Sequence, residues 1–218
     1  MMLNDRQIRD RCIHSPVLLN PFSEAVSGGG VMSYGLSHAG YDLRLGPEIL
    51  VFKNTICAEV DPKLFNDPAY QDTVFEKLLY PDPRPHPEHL HLFLTEQAPS
   101  MEDAKRIMLP GNRVRIPAGG YILGRSYEYI QMPKDLKGRC VGKSTYARCG
   151  IIVNTTPLEP GWEGHLTIEI GNITPCPAVV YVMEGIAQLE FEDIEPPEKD
   201  YRGKKYQHQT GVVPARVL

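Results

Sequence analysis

The segment Gly142-Lys143-Ser144-Thr145-Tyr146-Ala147-Arg148 gathers a glycine, two hydroxyls, a lysine and an arginine into one short stretch. Hydroxyls, free N–H groups and cations concentrated at a turn suit a phosphate group. Its Gly-Lys-Ser core looks like the end of a Walker A loop. The first glycine of that loop would fall at position 137, however, which is lysine, and no strand–helix–strand unit surrounds it. A polar turn with incidental charges is the plain alternative. Further along, Gly161-Trp162-Glu163-Gly164-His165-Leu166-Thr167-Ile168-Glu169-Ile170 begins as a turn and continues as a strand. In a strand, Thr167 and Glu169 share one face, and Leu166, Ile168 and Ile170 take the other. With the apolar face on the core, Glu169 looks outward or into a cleft, as a solvated side chain or as a base. A third candidate, His86-Pro-Glu88, matches the H-x-E half of the zinc deaminase signature. The P-C-x-x-C half is missing, because Pro175-Cys176 is followed by Pro-Ala-Val. His86, His89 and His91 read as loop histidines, and no zinc site is expected.

Short strands must position these residues. The chain has 19 glycines and 20 prolines in 218 residues, turn chemistry that argues against a helical bundle. Asn4, with Gln7 three residues later and Ile8, Cys12 and Ile13 at helical spacing, predicts a capped helix over 4–13. Residues 16–30 read as loop. Strand-like runs follow at 41–45 and 49–52, then at 113–116, 121–129, 150–153, 165–170, 178–183 and 186–191, separated by Pro/Gly turns. This is the pattern of an all-β barrel or jelly roll. Residues 66–110 differ: the run Tyr80-Pro-Asp-Pro-Arg-Pro-His-Pro marks a Pro-rich excursion on the surface, with helical pieces expected around 69–79 and 101–108. Residues 196–218 read as a flexible closing arm.

The balance of 42% hydrophobic and 23% charged residues is that of a globular domain, and a net charge of −4 implies no broad basic surface for nucleic acid. No apolar run is long enough to cross a membrane. Five scattered cysteines, none in C-x-x-C form, predict a reducing, cytoplasmic setting with thiols packed as small hydrophobes.

Four stretches taken together carry a family resemblance: Ser33-Tyr34-Gly35-Leu36-Ser37-His38-Ala39-Gly40-Tyr41-Asp42-Leu43-Arg44, residues 142–150 (GKSTYARCG), residues 153–169, and Glu184-Gly185-Ile186-Ala187-Gln188-Leu189. In this order and spacing they resemble the dCTP deaminases of the dUTPase-like superfamily, over residues 1–65 and 111–218. The resemblance implies one domain with a distorted β-barrel or jelly roll of the dUTPase-like (β-clip) type, a short N-terminal helix and the 66–110 insertion. It also implies a homotrimer with nucleotide sites between subunits. The implied reaction converts dCTP to dUTP and ammonia without zinc, in pyrimidine deoxynucleotide biosynthesis, with Mg²⁺ accompanying the triphosphate and dTTP as a candidate inhibitor.

On matching positions, the resemblance makes Glu169 the proton shuttle, with Ser144 positioning the water and Arg148 supporting Glu169. It places Lys143, Ser144 and Thr145 on phosphates, within a nucleotide-binding stretch that also includes Tyr146 and Ala147. Thr155 stands beside the base, which main-chain groups at 153–155 would read. Thr167 and Ile168 line base and sugar, and Gln188 lies against the nucleotide. Tyr201, Lys205 and Gln209 belong to the closing arm, with Tyr206 at a neighbouring position. Glu159 stands where relatives that also cleave the triphosphate carry Asp; it either activates water there or bonds the deoxyribose 3′-hydroxyl. Two alternatives stay open: a bifunctional enzyme releasing dUMP, and a catalytically silent nucleotide-binding regulator.

Overall fold

The computed structural model describes residues 1–14, 18–53, 59–80, 113–154, 156–199, 201 and 204–217. Helix α1 (Asp5–Ile13) begins at the expected cap: the Asn4 side chain accepts from the Gln7 N–H and the Gln7 side chain accepts from the Asn4 N–H, both at 3.0 Å. Ile8 and Cys12, one turn apart, form its buried stripe.

Thirteen strands follow among the described residues: β1 (Leu19–Asn20), β2 (Val26–Gly28), β3 (Val31–Ser37), β4 (Gly40–Arg44), β5 (Glu48–Phe52), β6 (Phe75–Leu79), β7 (Arg113–Ile116), β8 (Tyr121–Gln131), β9 (Leu136–Gly142), β10 (Ile151–Asn154), β11 (Glu163–Asn172), β12 (Ala178–Tyr181) and β13 (Gly185–Asp193). One sheet runs β10-β11-β8-β5-β6, with β1 also on β8; a second runs β2-β3-β4-β13-β9; β7 and β12 make a third. All three contribute to one core: Ile122, Ile168 and Ile170 come from the first, Leu43, Ile186 and Leu189 from the second, and Val114 and Val180 from the third. The architecture is therefore all-β, an open and distorted barrel with a short N-terminal helix.

β11 shows why the sequence folds this way. Its residues alternate strictly between half-buried and buried, so that Leu166, Ile168 and Ile170 enter the core while Thr167 and Glu169 face away. Each fully buried Ile contributes about 1.5–3 kcal/mol relative to exposure, which fixes the facing of Glu169 more firmly than any interaction of its own. A buried ion pair ties the two large sheets. Arg44 of β4 meets Glu128 of β8 at 2.7 Å, its backbone N–H donates to the same carboxylate at 3.0 Å, and its guanidinium lies over the Tyr34 and Tyr127 rings. Burial raises the Glu128 pKa, and Arg44 works against that rise.

Three expectations are corrected. The 16–30 stretch, read as loop, contains β1 and β2, paired with β8 and β3. The helix expected over 69–79 is split: α2 (Pro68–Val74) stops, and residues 75–79 become β6, paired with β5 so that Phe75 faces Phe52. Their rings sit 4.5 Å apart, edge to face, and Phe75 joins Phe65 and Val74 in a second apolar cluster. Nothing in Phe75-Glu76-Lys77-Leu78-Leu79 itself favours a strand; the free edge of β5 and the burial of Phe75 against Phe52 and Phe65 outweigh its helical propensity. These residues therefore extend the main sheet and do not run over its surface; residues 81–112, with the expected helix at 101–108 and most of the Pro run, lie outside the described residues. The cysteines also divide. Cys12 and Cys140 are buried, burial pushing the Cys12 thiol up to about 12, whereas Cys149 and Cys176 are exposed. Cys57 lies outside the described residues.

Candidate active site

Glu169 lies opposite Asn154 in the β10–β11 register and opposite Leu123 of β8 on its other side. The Asn154 amide donates to the Glu169 carboxylate at 3.2 Å. Together they open into a cleft of about 460 Å³, whose polar lining also includes Thr156, Glu159, Thr167, Tyr201 and Gln209, and whose apolar wall includes Phe52, Tyr121 and Leu123. Burial raises the Glu169 pKa above the ordinary carboxylate range, and the Asn154 hydrogen bond holds part of that rise back. The neighbouring Tyr121 phenol is pushed up to about 12, by burial first and by the Glu169 charge second. A carboxyl so tuned takes and returns a proton near neutral pH more readily than a solvated glutamate does.

The C-terminal segment forms one rim of this cleft. The Trp162 indole donates to the Tyr206 carbonyl at 2.8 Å, the His165 N–H donates to the Gln209 carbonyl at 2.8 Å, and the Thr167 hydroxyl donates to the Gln209 side-chain oxygen at 2.8 Å. The approach is close enough to require glycine at 164. That residue has φ +147, and a Cβ there would stand 2.7 Å from the Gln209 nitrogen. Tyr201 lines the cleft, whereas Lys205 turns away, donating to the Arg216 carbonyl at 2.9 Å and lying over the Tyr206 ring.

The other candidate residues stand elsewhere in the chain. Ser144–Ala147 form a single helical turn, α3, begun by the Lys143 carbonyl, which accepts from the Ala147 N–H at 3.1 Å. Ser144, Thr145, Ala147 and Arg148 are exposed, Tyr146 is buried with its phenol pKa raised by burial, and none of residues 143–148 lines the Glu169 cleft. Lys143 points inward to Asp42, and donates to the Ser33 hydroxyl at 3.2 Å. Gln188 donates to Ser37 at 3.0 Å and to Asp42 at 3.2 Å. The Ile168 side chain is fully buried, leaving its backbone alone to face a ligand. Thr155 lies outside the described residues.

One chain thus brings together Glu169, Thr167, Glu159, Tyr201 and Gln209, and presents Ser144, Thr145 and Arg148 on a separate exposed turn. The side chains of Asn154 and Asp42 have no role in the family resemblance, which gives position 154 a main-chain role alone. Strand alternation could have put the Asn154 side chain on one face of β10, but its partner is set by a register that no local pattern encodes. Among the described residues no three of His, Cys, Asp and Glu cluster as a metal site, and no helix is long and apolar enough to cross a membrane.

Comparison with known proteins follows the same lines. A dCTP deaminase of Sulfurovum sp. is 40% identical over 218 residues, covering 98% of this chain and 96% of the relative. A dCTP deaminase of Campylobacter jejuni subsp. jejuni is 43% identical over 205 residues, covering 92% and 90%. The crystal structure of a 2′-deoxycytidine 5′-triphosphate deaminase from Agrobacterium tumefaciens superposes with a TM-score of 0.53 at 16% identity; it spans 88% of this chain, which covers 48% of that one, and the likeness extends to the fold. Residues 2–194 match the sequence model described as dCTP deaminase-like, and the chain belongs to the dCTP deaminase-like family.

Proposed function

We propose that this protein hydrolytically deaminates dCTP to dUTP and ammonia, supplying dUTP for pyrimidine deoxynucleotide synthesis. The observation that carries the reading is Glu169, a half-buried carboxyl of raised pKa at the cleft, in a chain that belongs to this family. Water attacks C4 of cytosine as Glu169 takes its proton. The C4=N3 electron pair moves to N3, which receives that proton; the hydroxyl of the tetrahedral adduct then passes its proton through the same carboxyl to the exocyclic nitrogen, the C4–N bond breaks, C4=O forms and ammonia leaves. Asn154 holds the carboxylate in place. Thr167 and Gln209 already bond one another beside it, and form a rim for base and sugar.

Ser144 as the water-positioning group and Arg148 as the support for developing charge need a nucleotide that reaches the α3 turn as well as the Glu169 cleft. That turn is exposed and flanked by the exposed apolar side chains Ile152 and Ile173, a combination suited to a second copy of the chain. We read the working enzyme as a homotrimer in which Glu169 of one subunit and Ser144 and Arg148 of the next share one nucleotide. Mg²⁺, when bound, would screen the triphosphate charge, held by the phosphate oxygens. The exposed thiols Cys149 and Cys176 suit the reducing cytoplasm in which a nucleotide-pool enzyme works.

Glu159 lies in the same cleft, and we read it as the group that bonds the sugar hydroxyl, so that dUTP accumulates. The decisive experiment incubates the chain with dCTP and Mg²⁺, separates the products by anion exchange, and repeats the assay with Glu169→Gln. dUTP and ammonia in equal amounts, and a loss of ~10²–10⁴-fold in kcat with dCTP binding retained, are the expected results. Normal turnover by Glu169→Gln would remove the assigned base. Direct formation of dUMP would establish the bifunctional alternative, with Glu159→Gln then blocking cleavage and sparing deamination.

A further inference from the structure

Two rows of side chains cross the sheet at Glu169. The register places Leu50 of β5, Leu123 of β8, Glu169 of β11 and Asn154 of β10 in one row. In the next row on the same face, Tyr121 of β8 pairs with Gly171 of β11, and Gly171 with Ile152 of β10. Gly171 leaves a gap in that row, and Tyr121 fills it. A Cβ at 171 would stand 3.5 Å and 3.9 Å from Cδ2 and Cε2 of Tyr121, so the ring lies over the bare glycine. Tyr121 and Glu169 are therefore diagonal neighbours across the two strands, a separation that aromatic side chains span. From β5 the Phe52 ring braces Tyr121 edge-on, at 5.5 Å and 74°, and Phe52 is itself held by Phe75 at 4.5 Å.

Tyr121 keeps 37% of its surface exposed, the outward side of a cover, and lines the same cleft as Glu169. Among the described residues that line this cleft within one chain there is no cation: its titratable side chains are Glu159, Glu169, Tyr121, Tyr201 and Tyr206. Asn154 supplies a neutral hydrogen bond from β10. Within one chain, the proton affinity of Glu169 is thus governed mainly by how much water reaches it. Resting on the deaminase reading, we propose that Tyr121 is a positioning residue for the reaction: its ring, braced on Phe52 and laid over Gly171, keeps water off one flank of Glu169. The ring does this, and the hydroxyl has no part in it.

The test compares Tyr121→Phe, which keeps the ring, with Tyr121→Ala, which removes it. kcat/KM for dCTP is followed across pH. The Glu169 carboxyl is also titrated without substrate by infrared difference spectroscopy, its band identified by loss in Glu169→Gln. The sign follows from the cause: burial favours the protonated carboxyl, so admitting water moves its titration to lower pH. In Tyr121→Ala the acidic limb of kcat/KM and the carboxyl titration should both move to lower pH, and the plateau of kcat should fall by ~3-fold as the base weakens. In Tyr121→Phe the limb and the titration should both stay in place. Arg148 of the next subunit, in the shared site, is common to every variant and cancels from the comparison.

A carboxyl titration that stays in place or moves to higher pH in Tyr121→Ala would overturn the proposal. So would an equal displacement in Tyr121→Phe, which would make the hydroxyl the active part. A titration that moves while the limb of kcat/KM does not would remove Tyr121 from the reaction. If Tyr121→Ala fails to fold, Tyr121→Gln decides on the same criteria, because it fills part of the ring's space and still admits water. A wild-type chain that forms no dUTP refutes the deaminase reading, while the infrared titration still decides what Tyr121 does to Glu169.

Discussion

Replacing Asn154 with Leu removes the hydrogen bond that holds down the raised pKa of Glu169 while keeping the side chain's branched outline. The sign follows from the causes. Burial favours the protonated carboxyl and the Asn154 amide favours the carboxylate, so losing the amide moves the titration of Glu169 further toward neutral pH. A hydrogen bond to a charged group is worth ~1.5–3 kcal/mol, and at 3.2 Å to a half-exposed pair the lower part of that range or less applies. Taking ~1 kcal/mol, the fraction of enzyme carrying an ionised Glu169 falls ~5-fold on the acidic limb, since ~1.4 kcal/mol is tenfold. The assay is kcat/KM for dCTP across pH. In Asn154→Leu the acidic limb should move to higher pH, with a loss of ~5-fold on the limb and a smaller loss on the plateau. Asn154→Asp should move it further in the same direction, because a second carboxylate beside Glu169 disfavours two charges. A limb that stays in place or moves to lower pH in both variants would refute the assignment of Glu169 as the titrating base.

Glu128→Gln strands the Arg44 charge between Tyr34 and Tyr127 and should cost ~3–5 kcal/mol, seen as a drop of ~6–20 °C in Tm by calorimetry, with much of the loss recovered in the apolar pair Arg44→Met/Glu128→Leu. A zinc-selective chelator should leave deamination intact, and EDTA should weaken it in a way that added Mg²⁺ reverses; zinc at one equivalent in the active enzyme would contradict this. Mixing inactive Glu169→Gln with inactive Arg148→Ala should restore part of the activity through hybrid sites, and light scattering should give the mass of a trimer; a fully active monomer would refute the shared site.

What the sequence discloses is what short-range physics controls. The α1 cap needs Asn4 and Gln7 three residues apart, and the facing of Glu169 needs only the two-residue period of β11 against a core. The strand β6 was hidden because residues 75–79 carry no helix-breaking residue, and their fate was decided by Phe52 and Leu50 on a strand more than twenty residues away. β3 and β9 were missed for a related reason, their glycines and polar residues lowering local strand preference while sheet pairing held them extended. Within the candidate site, the Lys143–Asp42 contact spans 101 residues of sequence, and the Thr167–Gln209 contact spans 42. Such pairs arise from register, and a list of chemically suitable residues cannot rank them. Family resemblance supplied roles for Lys143 and Gln188, and the geometry shows which neighbours occupy them.

The strict alternation along β11 divides mutational failure into two kinds that a screen can separate. Positions 164, 166, 168 and 170 lie in the interior, so polar or oversized replacements there deplete the amount of intact protein in a cell. Positions 167 and 169 face the cleft, so replacements there leave abundance high and turnover low. A library across Glu163–Asn172, sorted once for abundance and once for growth that depends on the reaction, would give two profiles of the same two-residue period in opposite phase. One strand therefore reports foldability and chemistry on alternate residues, and selection for either trait leaves a separate mark.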